Sequence, residues 1–235
     1  MASFDSKTSR MNISVIIPVL NEEKTIAPIL DGLKQLAPYE IIVVDGGSDD
    51  GTREICARSG VKILSSTRGR ARQMNLGAKE ARGDVLLFLH ADTRLPGSAL
   101  SDIAEALSDT RYVGGRFDIE LDGKHWMLKV IGRLISYRSR ISKVGTGDQA
   151  IFVRREIFER MGGYPEMPFM EDIAFCRTLK SLGKIACLRS RVITSARRWE
   201  NDGVWRTILR MWILKLFYLA GVSPSHLKRF YADTR

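Results

Sequence analysis

His90 and Asp92 follow the apolar run VLLFL, one alanine apart. In extended chain, side chains two positions apart point the same way. The pair could jointly hold a divalent ion that bridges a diphosphate, although a polar turn explains the same pattern. Asp45 ends a second apolar run, IIVVD, and Gly46 and Gly47 follow it, leaving room for a flat ring or a ribose against its carboxylate. Asp49 and Asp50 precede Gly51-Thr52 and a helical pattern, where they cap the first turn. Arg68, Arg70 and Arg72 approach another helix start, where positive charge and free amide groups favour phosphate; Arg70 and Arg72 need not both point inward. Glu171 and Asp172 open a later helical pattern, where two acids already suit the macrodipole.

The first half alternates β-branched runs with helical periodicity. Strands are expected over 13–18, 41–45, 61–65 and 85–89, and helices over 22–36, 52–59 and 70–81. Continuous apolar runs such as IIVV and VLLFL suit strands covered on both faces, and the alternation implies an α/β fold with a parallel sheet flanked by helices. Past residue 107 the pattern loosens. Strands are expected over 112–121, 150–154 and briefly near 185, with helices over 124–144, 156–161, 172–182 and 204–220. In an open parallel sheet every strand delivers its C-terminal end to one edge, where ligands bind. Asn21-Glu22-Glu23, the Asp45 loop, Arg68–Arg72 and His90-Ala91-Asp92 should therefore line one cleft.

The 235 residues suit one domain, with 44% hydrophobic and 27% charged residues excluding a disordered or fibrous chain. Cys56, Cys176 and Cys187 are odd in number and lack CxxC spacing, which argues against disulfides and zinc. With no apolar stretch before Asn12, no signal peptide is read and a cytoplasmic chain is expected. The net charge of +10 is concentrated. Residues 184–235 carry eleven basic and three acidic side chains, and six bases with no acid lie between Asp122 and Asp148. Such a surface attracts polyanions: nucleotide diphosphates, nucleic acid or anionic lipid.

SVIIPVLNEE, EIIVVDGGSDDGT, RGRARQMNLGAKEARGDVLLFLHADTRLPG and GGYPEMPFMEDIAFCRTLKSLGK together resemble a family 2 glycosyltransferase of the GT-A fold, over about residues 14–184. The likeness is nearest to a small bacterial branch whose DxD motif reads HAD, associated with radical-enzyme and selenium-related gene neighbourhoods. It implies one GT-A domain, with a nucleotide-binding half over 12–107, an acceptor-side half over 108–200 and a C-terminal helix. By the same resemblance Pro18, Asn21, Glu22 and Ala91 lie by the nucleotide sugar, Asp45 holds the base, and Arg70 or Arg72 meets base or phosphate, with Asn75 supporting the helix start. Asp92 matches the metal-binding carboxylate of DxD, with Mn²⁺ or Mg²⁺ implied. His90 replaces the first acid and brings no negative charge, so metal affinity falls and metal independence stays open. Arg197 or Arg198 would meet the diphosphate where the family has a histidine. Asp172 would be the general base of an inverting transfer, beside Glu171. Asp148 or Gln149 would contact acceptor hydroxyls, though a turn into a strand explains them too.

Two basic amphipathic stretches remain. In the first, Lys129, Arg133, Arg140 and Lys143 oppose Met127, Val130, Ile131, Leu134 and Ile141, with Trp126 and Tyr137 on the flanks and Arg138 inside the apolar arc. The second holds Trp205, Trp212, Arg206, Arg210 and Lys215. A membrane surface carrying a lipid-linked acceptor, the protein core and a second subunit are the partners open to them. The expected donor is a UDP- or GDP-sugar, and nucleic acid is not an expected partner. Rival readings are a nucleotidyltransferase, which lacks its glycine-rich lysine loop here, and a basic membrane- or nucleic-acid-binding module. A dinucleotide oxidoreductase fails because DGGSDDG is not GxGxxG.

Overall fold

The computed structural model describes residues 11–219 and 221–223. The opening segment read for a signal peptide, Met1–Arg10, lies outside them, as do the side chains of Arg198, Trp205, Trp212 and Lys215. Strand β1 (Ile13–Val19) is the hub. It pairs in parallel with β2 (Glu40–Asp45) on one side and β4 (Val85–Phe88) on the other, and β3 (Lys62–Ser65) pairs in parallel with β2. Among the described residues the sheet has eight strands in the order β3-β2-β1-β4-β7-β6-β8-β5, with β5 at Thr93–Arg94, β6 at Tyr112–Asp122, β7 at Ile151–Arg154 and β8 at Lys184–Ser195. β7 runs antiparallel to β4 and β6, and β6 runs parallel to β8, so the sheet is mixed but mostly parallel.

Alternation along the strands builds two cores. Val15, Ile17, Val43 and Leu87 face α1 (Ile26–Leu36), α2 (Thr52–Arg58), α4 (Ala99–Ser108) and α5 (Trp126–Ser142). Ile16, Ile42, Leu86 and Phe88 face α3 (Arg70–Glu80), α6 (Arg155–Met161) and α7 (Glu171–Leu182). This three-layer arrangement buries both sheet faces, as the continuous apolar runs imply. α8 (Arg197–Asp202) and α9 (Val204–Leu219) are the last described elements, and Leu214 joins the second core.

Three expectations change. The first helix starts at Ile26 rather than at residue 22, because Asn21 sits at φ +55° and Glu22 to Thr25 form a turn in which the Glu22 carbonyl accepts from Thr25 and Ile26. The short strand expected near 185 is the twelve-residue β8; its exposed Arg189 and Arg191 interrupt the apolar run. The helix at Ala99–Ser108 was not read from the sequence. Gly115 explains the tight seating of β6: a Cβ there would stand 2.5 Å from the Ala186 carbonyl oxygen and the Phe152 ring.

Gln73 of α3 is buried and ties the two central strands where they end. Its Nε2 donates to the carbonyls of Val19 and Val44, both at 2.8 Å. Replacing it with Leu leaves buried acceptors short of a donor, so Gln73→Leu is expected to cost about 1–3 kcal/mol. Urea unfolding measures this, and an unchanged midpoint refutes the role.

Candidate active site

At the C-terminal edge of β1 and β4 the chain forms a narrow crevice lined by Pro18, Arg70, Met74, His90, Gly147, Tyr164, Glu171 and Asp172, among others. Residues 90, 147 and 172 meet closely. The Gly147 N–H donates to Asp172 Oδ2 at 2.8 Å, and the Ile173 N–H donates to Oδ1 at 2.7 Å. Two main-chain donors thus fix this carboxylate at the first turn of α7. A Cβ at Gly147 would stand 2.5 Å from His90 Nε2, so the glycine lets the imidazole pack against the turn Gly147–Gln149.

Charge is concentrated at this point. Arg70 Nη1 lies 3.5 Å from Glu171 Oε1, whose side chain is almost fully buried. Burial pushes the Glu171 carboxyl above its usual range, with Arg70 opposing the rise and Asp172 adding to it. Burial likewise pushes Asp148 up; the Thr146 hydroxyl that donates to it opposes this, and the charges of Asp172 and Asp92 reinforce it. The cation answering Asp148 and Asp172 is Arg138, held in α5 beside the bond from Gln149 Nε2 to Ser139 Oγ. Its one sequence signal was a lone arginine inside an apolar arc.

The Asp148 shift gives a signed prediction. A carboxyl raised in the folded state penalises folding above its folded pKa, and the penalty is relieved as pH falls through that value. Asp148→Asn is therefore expected to raise the melting temperature at neutral pH, by a margin that shrinks in acid. Thermal melts in neutral and acidic buffer check this; a gain that grows on acidification contradicts it.

Other expected site residues brace the edge. Asp45 is 1% exposed, and its carboxylate accepts from the Gly47 and Ser48 N–H groups and the Ser48 hydroxyl, which shapes its own loop. Asn21 Oδ1 accepts from the Asp49 N–H, and Asp50 accepts from Thr52, so of the two expected caps Asp50 serves the helix. Glu22 Oε2 accepts from the Thr25 hydroxyl and lies 3.8 Å from Arg197, which places that arginine across from the β1 loop. Arg72 turns away to Glu166 at 2.9 Å, leaving Arg70 in the crevice. The Ala91 methyl belongs to the core. Gln149 is fully buried with both ends of its amide engaged, to Phe117, Ser139 and Thr146, and so holds the turn. Asn75, expected at the helix start, instead exchanges two bonds with Tyr164, at 2.8 and 2.9 Å. Burial pushes Cys56 up to about 11 and Cys176 up to about 12, and all three cysteines are free thiols.

His90 and Asp92 stand at the end of β4 on this edge, but among the described residues no group of three His, Cys, Asp or Glu is placed to hold a metal ion. The donor set fits a cation only where ligand oxygens complete its shell.

Comparisons agree with this architecture. A mannosyltransferase from Pyrobaculum calidifontis, solved with GDP-Man and Mn²⁺, superposes with a TM-score of 0.65 at 20% identity, covering 95% of this chain and 68% of that one. S. aureus TarS 1–349 with UDP-GlcNAc gives 0.61 at 21% identity, covering 79% and 58%. The fold is thus that of GT-A glycosyltransferases. In sequence, the chain is 26% identical to the glycosyltransferase AglE of Haloferax volcanii, over 91% of this chain and 82% of that protein. It is 33% identical to the dolichol-phosphate mannosyltransferase of Pyrococcus furiosus over 45% of this chain, but spans only 34% of that longer protein. The sequence model of glycosyl transferase family 2 matches residues 14–162, well over half the chain, and the protein belongs to that family.

Proposed function

We propose that this glycosyltransferase is inverting, with Asp172 as general base and a nucleoside diphosphate sugar as donor. One observation carries the reading: the Asp172 carboxylate is held by two main-chain N–H groups in a crevice it shares with Arg70 and His90. Asp172 takes the proton of an acceptor hydroxyl. The hydroxyl oxygen then bonds to the anomeric carbon as the bond to the diphosphate oxygen breaks on the opposite face, which inverts the centre. Arg70 and Arg197 supply positive charge on the donor side, and Arg138 faces Asp172 and Asp148 on the other. A divalent cation, Mn²⁺ or Mg²⁺, held by Asp92 beside His90 and by diphosphate oxygens, would neutralise charge on the leaving group. Neighbours solved with GDP-Man and Mn²⁺ and with UDP-GlcNAc support the donor class. Relatives named as undecaprenyl-phosphate and dolichol-phosphate transferases support a lipid-linked acceptor.

Calorimetric titration with UDP and GDP, each with and without Mn²⁺, tests the donor site. The expected result is binding of one nucleotide that strengthens with Mn²⁺ and loses that response in Asp92→Ala. Binding of neither nucleotide removes the donor reading, and an unchanged Mn²⁺ response in Asp92→Ala removes the metal role.

A further inference from the structure

α5 is apolar on two sides. Leu128 and Ile131 face the core, and Gly132 passes so close to β6 that a Cβ would stand 2.9 Å from the Ile119 carbonyl oxygen. On the opposite side Trp126, Val130, Leu134, Tyr137 and Ile141, spaced by three or four residues, form a continuous stripe. They are 69%, 41%, 60%, 65% and 68% exposed, with the His125 ring stacked beside Trp126. Core packing therefore accounts for the inner stripe and not for the outer one.

We propose that this outer face docks the protein on an anionic phospholipid surface. Core, a second subunit and a membrane surface all suit the periodicity of this helix, and charge decides among them. Exposed Lys129 and Arg133 flank the stripe, exposed Lys143 follows the helix, and no acid occurs between Asp122 and Asp148. A second copy docking stripe on stripe would bring bases against bases, with no carboxylate from either helix to answer them. An anionic headgroup layer answers all of them. Trp126 and Tyr137 are the residue types that settle between headgroups and acyl chains, and a seventeen-residue helix lying flat suits that depth. No described helix is long and apolar enough to cross a membrane. α5 also leads within five residues to Gly147, whose N–H holds Asp172.

The test is co-sedimentation of the full chain with vesicles of phosphatidylcholine alone and of equal phosphatidylcholine and phosphatidylglycerol. It needs no turnover, so it stands or falls apart from the reaction proposed above. Binding to the mixed vesicles and not to the neutral ones is expected. Leu134→Asp/Ile141→Asp should weaken it more than about tenfold, because each inserted aliphatic side chain contributes on that order. Lys129→Glu/Arg133→Glu should erase the preference for the anionic lipid. These positions are exposed, and circular dichroism verifies that the variants fold. The proposal is overturned by equal binding of the Leu134/Ile141 variant, by absence of binding to the mixed vesicles, or by a dimer in solution that the same variant dissociates.

Discussion

Asp172→Asn is expected to lower turnover by about 10²–10⁴-fold, the usual contribution of a positioned general base. The amide keeps the shape of the carboxylate, and its oxygen can still accept one of the two main-chain bonds from Gly147 and Ile173. It cannot take a proton. Nucleotide affinity should be unchanged, because the lost group acts on the acceptor and not on the diphosphate. Initial rates with the nucleotide sugar chosen by titration, read beside calorimetric affinity for the nucleotide, separate the two. Turnover that survives with binding intact would show that another group takes the proton.

Gly147→Ala is the second large effect, and it reaches the same carboxylate without touching its chemistry. The new Cβ would fall 2.5 Å from His90 Nε2, too close for any real contact, so either the imidazole or the turn must move. Movement of the turn carries with it the N–H that holds Asp172. A displacement near 1 Å at a reacting group costs about 10²-fold in rate. Because Gly147 sits in a helical turn with no positive φ, an alanine there is tolerated by the backbone. The expected result is thus a loss of about 10²-fold in kcat, with a stability cost no larger than local overpacking brings, about 1–3 kcal/mol. A stable variant with full activity would mean that the His90–Gly147–Asp172 contact has no part in positioning the base.

The strands over 13–19, 40–45 and 85–88 were legible because burial on both faces demands uninterrupted apolar residues, and their loops followed from the parallel geometry. That reasoning brings Arg70 and His90 to one crevice across long stretches of chain, and the family resemblance adds Pro18 and Asp172. It fails where a residue type serves two purposes. Asp45 and Gln149 carry polar groups suited to a ligand, and the chain also uses them to hold its own turns, which only hydrogen-bond geometry reveals. Gln73 gave no signal, since an amide in a helix reads as surface until its carbonyl partners are known. α5 shows a related limit: amphipathic periodicity identifies an apolar arc but cannot say which arc meets the core. β8 was shortened because outward arginines in a half-covered strand look like a loop.

The position of β7 bears on where this chain could be divided. β7 comes from residues 151–154, yet it lies between β4 and β6, bonded to both. The halves read from the sequence thus meet along the β4–β7 seam, while β5, from residues 93–94 of the first, pairs with β8 at the far edge. A fragment stopping at residue 107 would keep the β1–β4 quartet but bare the buried edge of VLLF, a template for aggregation. Swapping acceptor regions between relatives meets the same obstacle. The smallest exchangeable piece would have to spare β7 and the bond from the Arg155 N–H to the Asp84 carbonyl that anchors it beside β4.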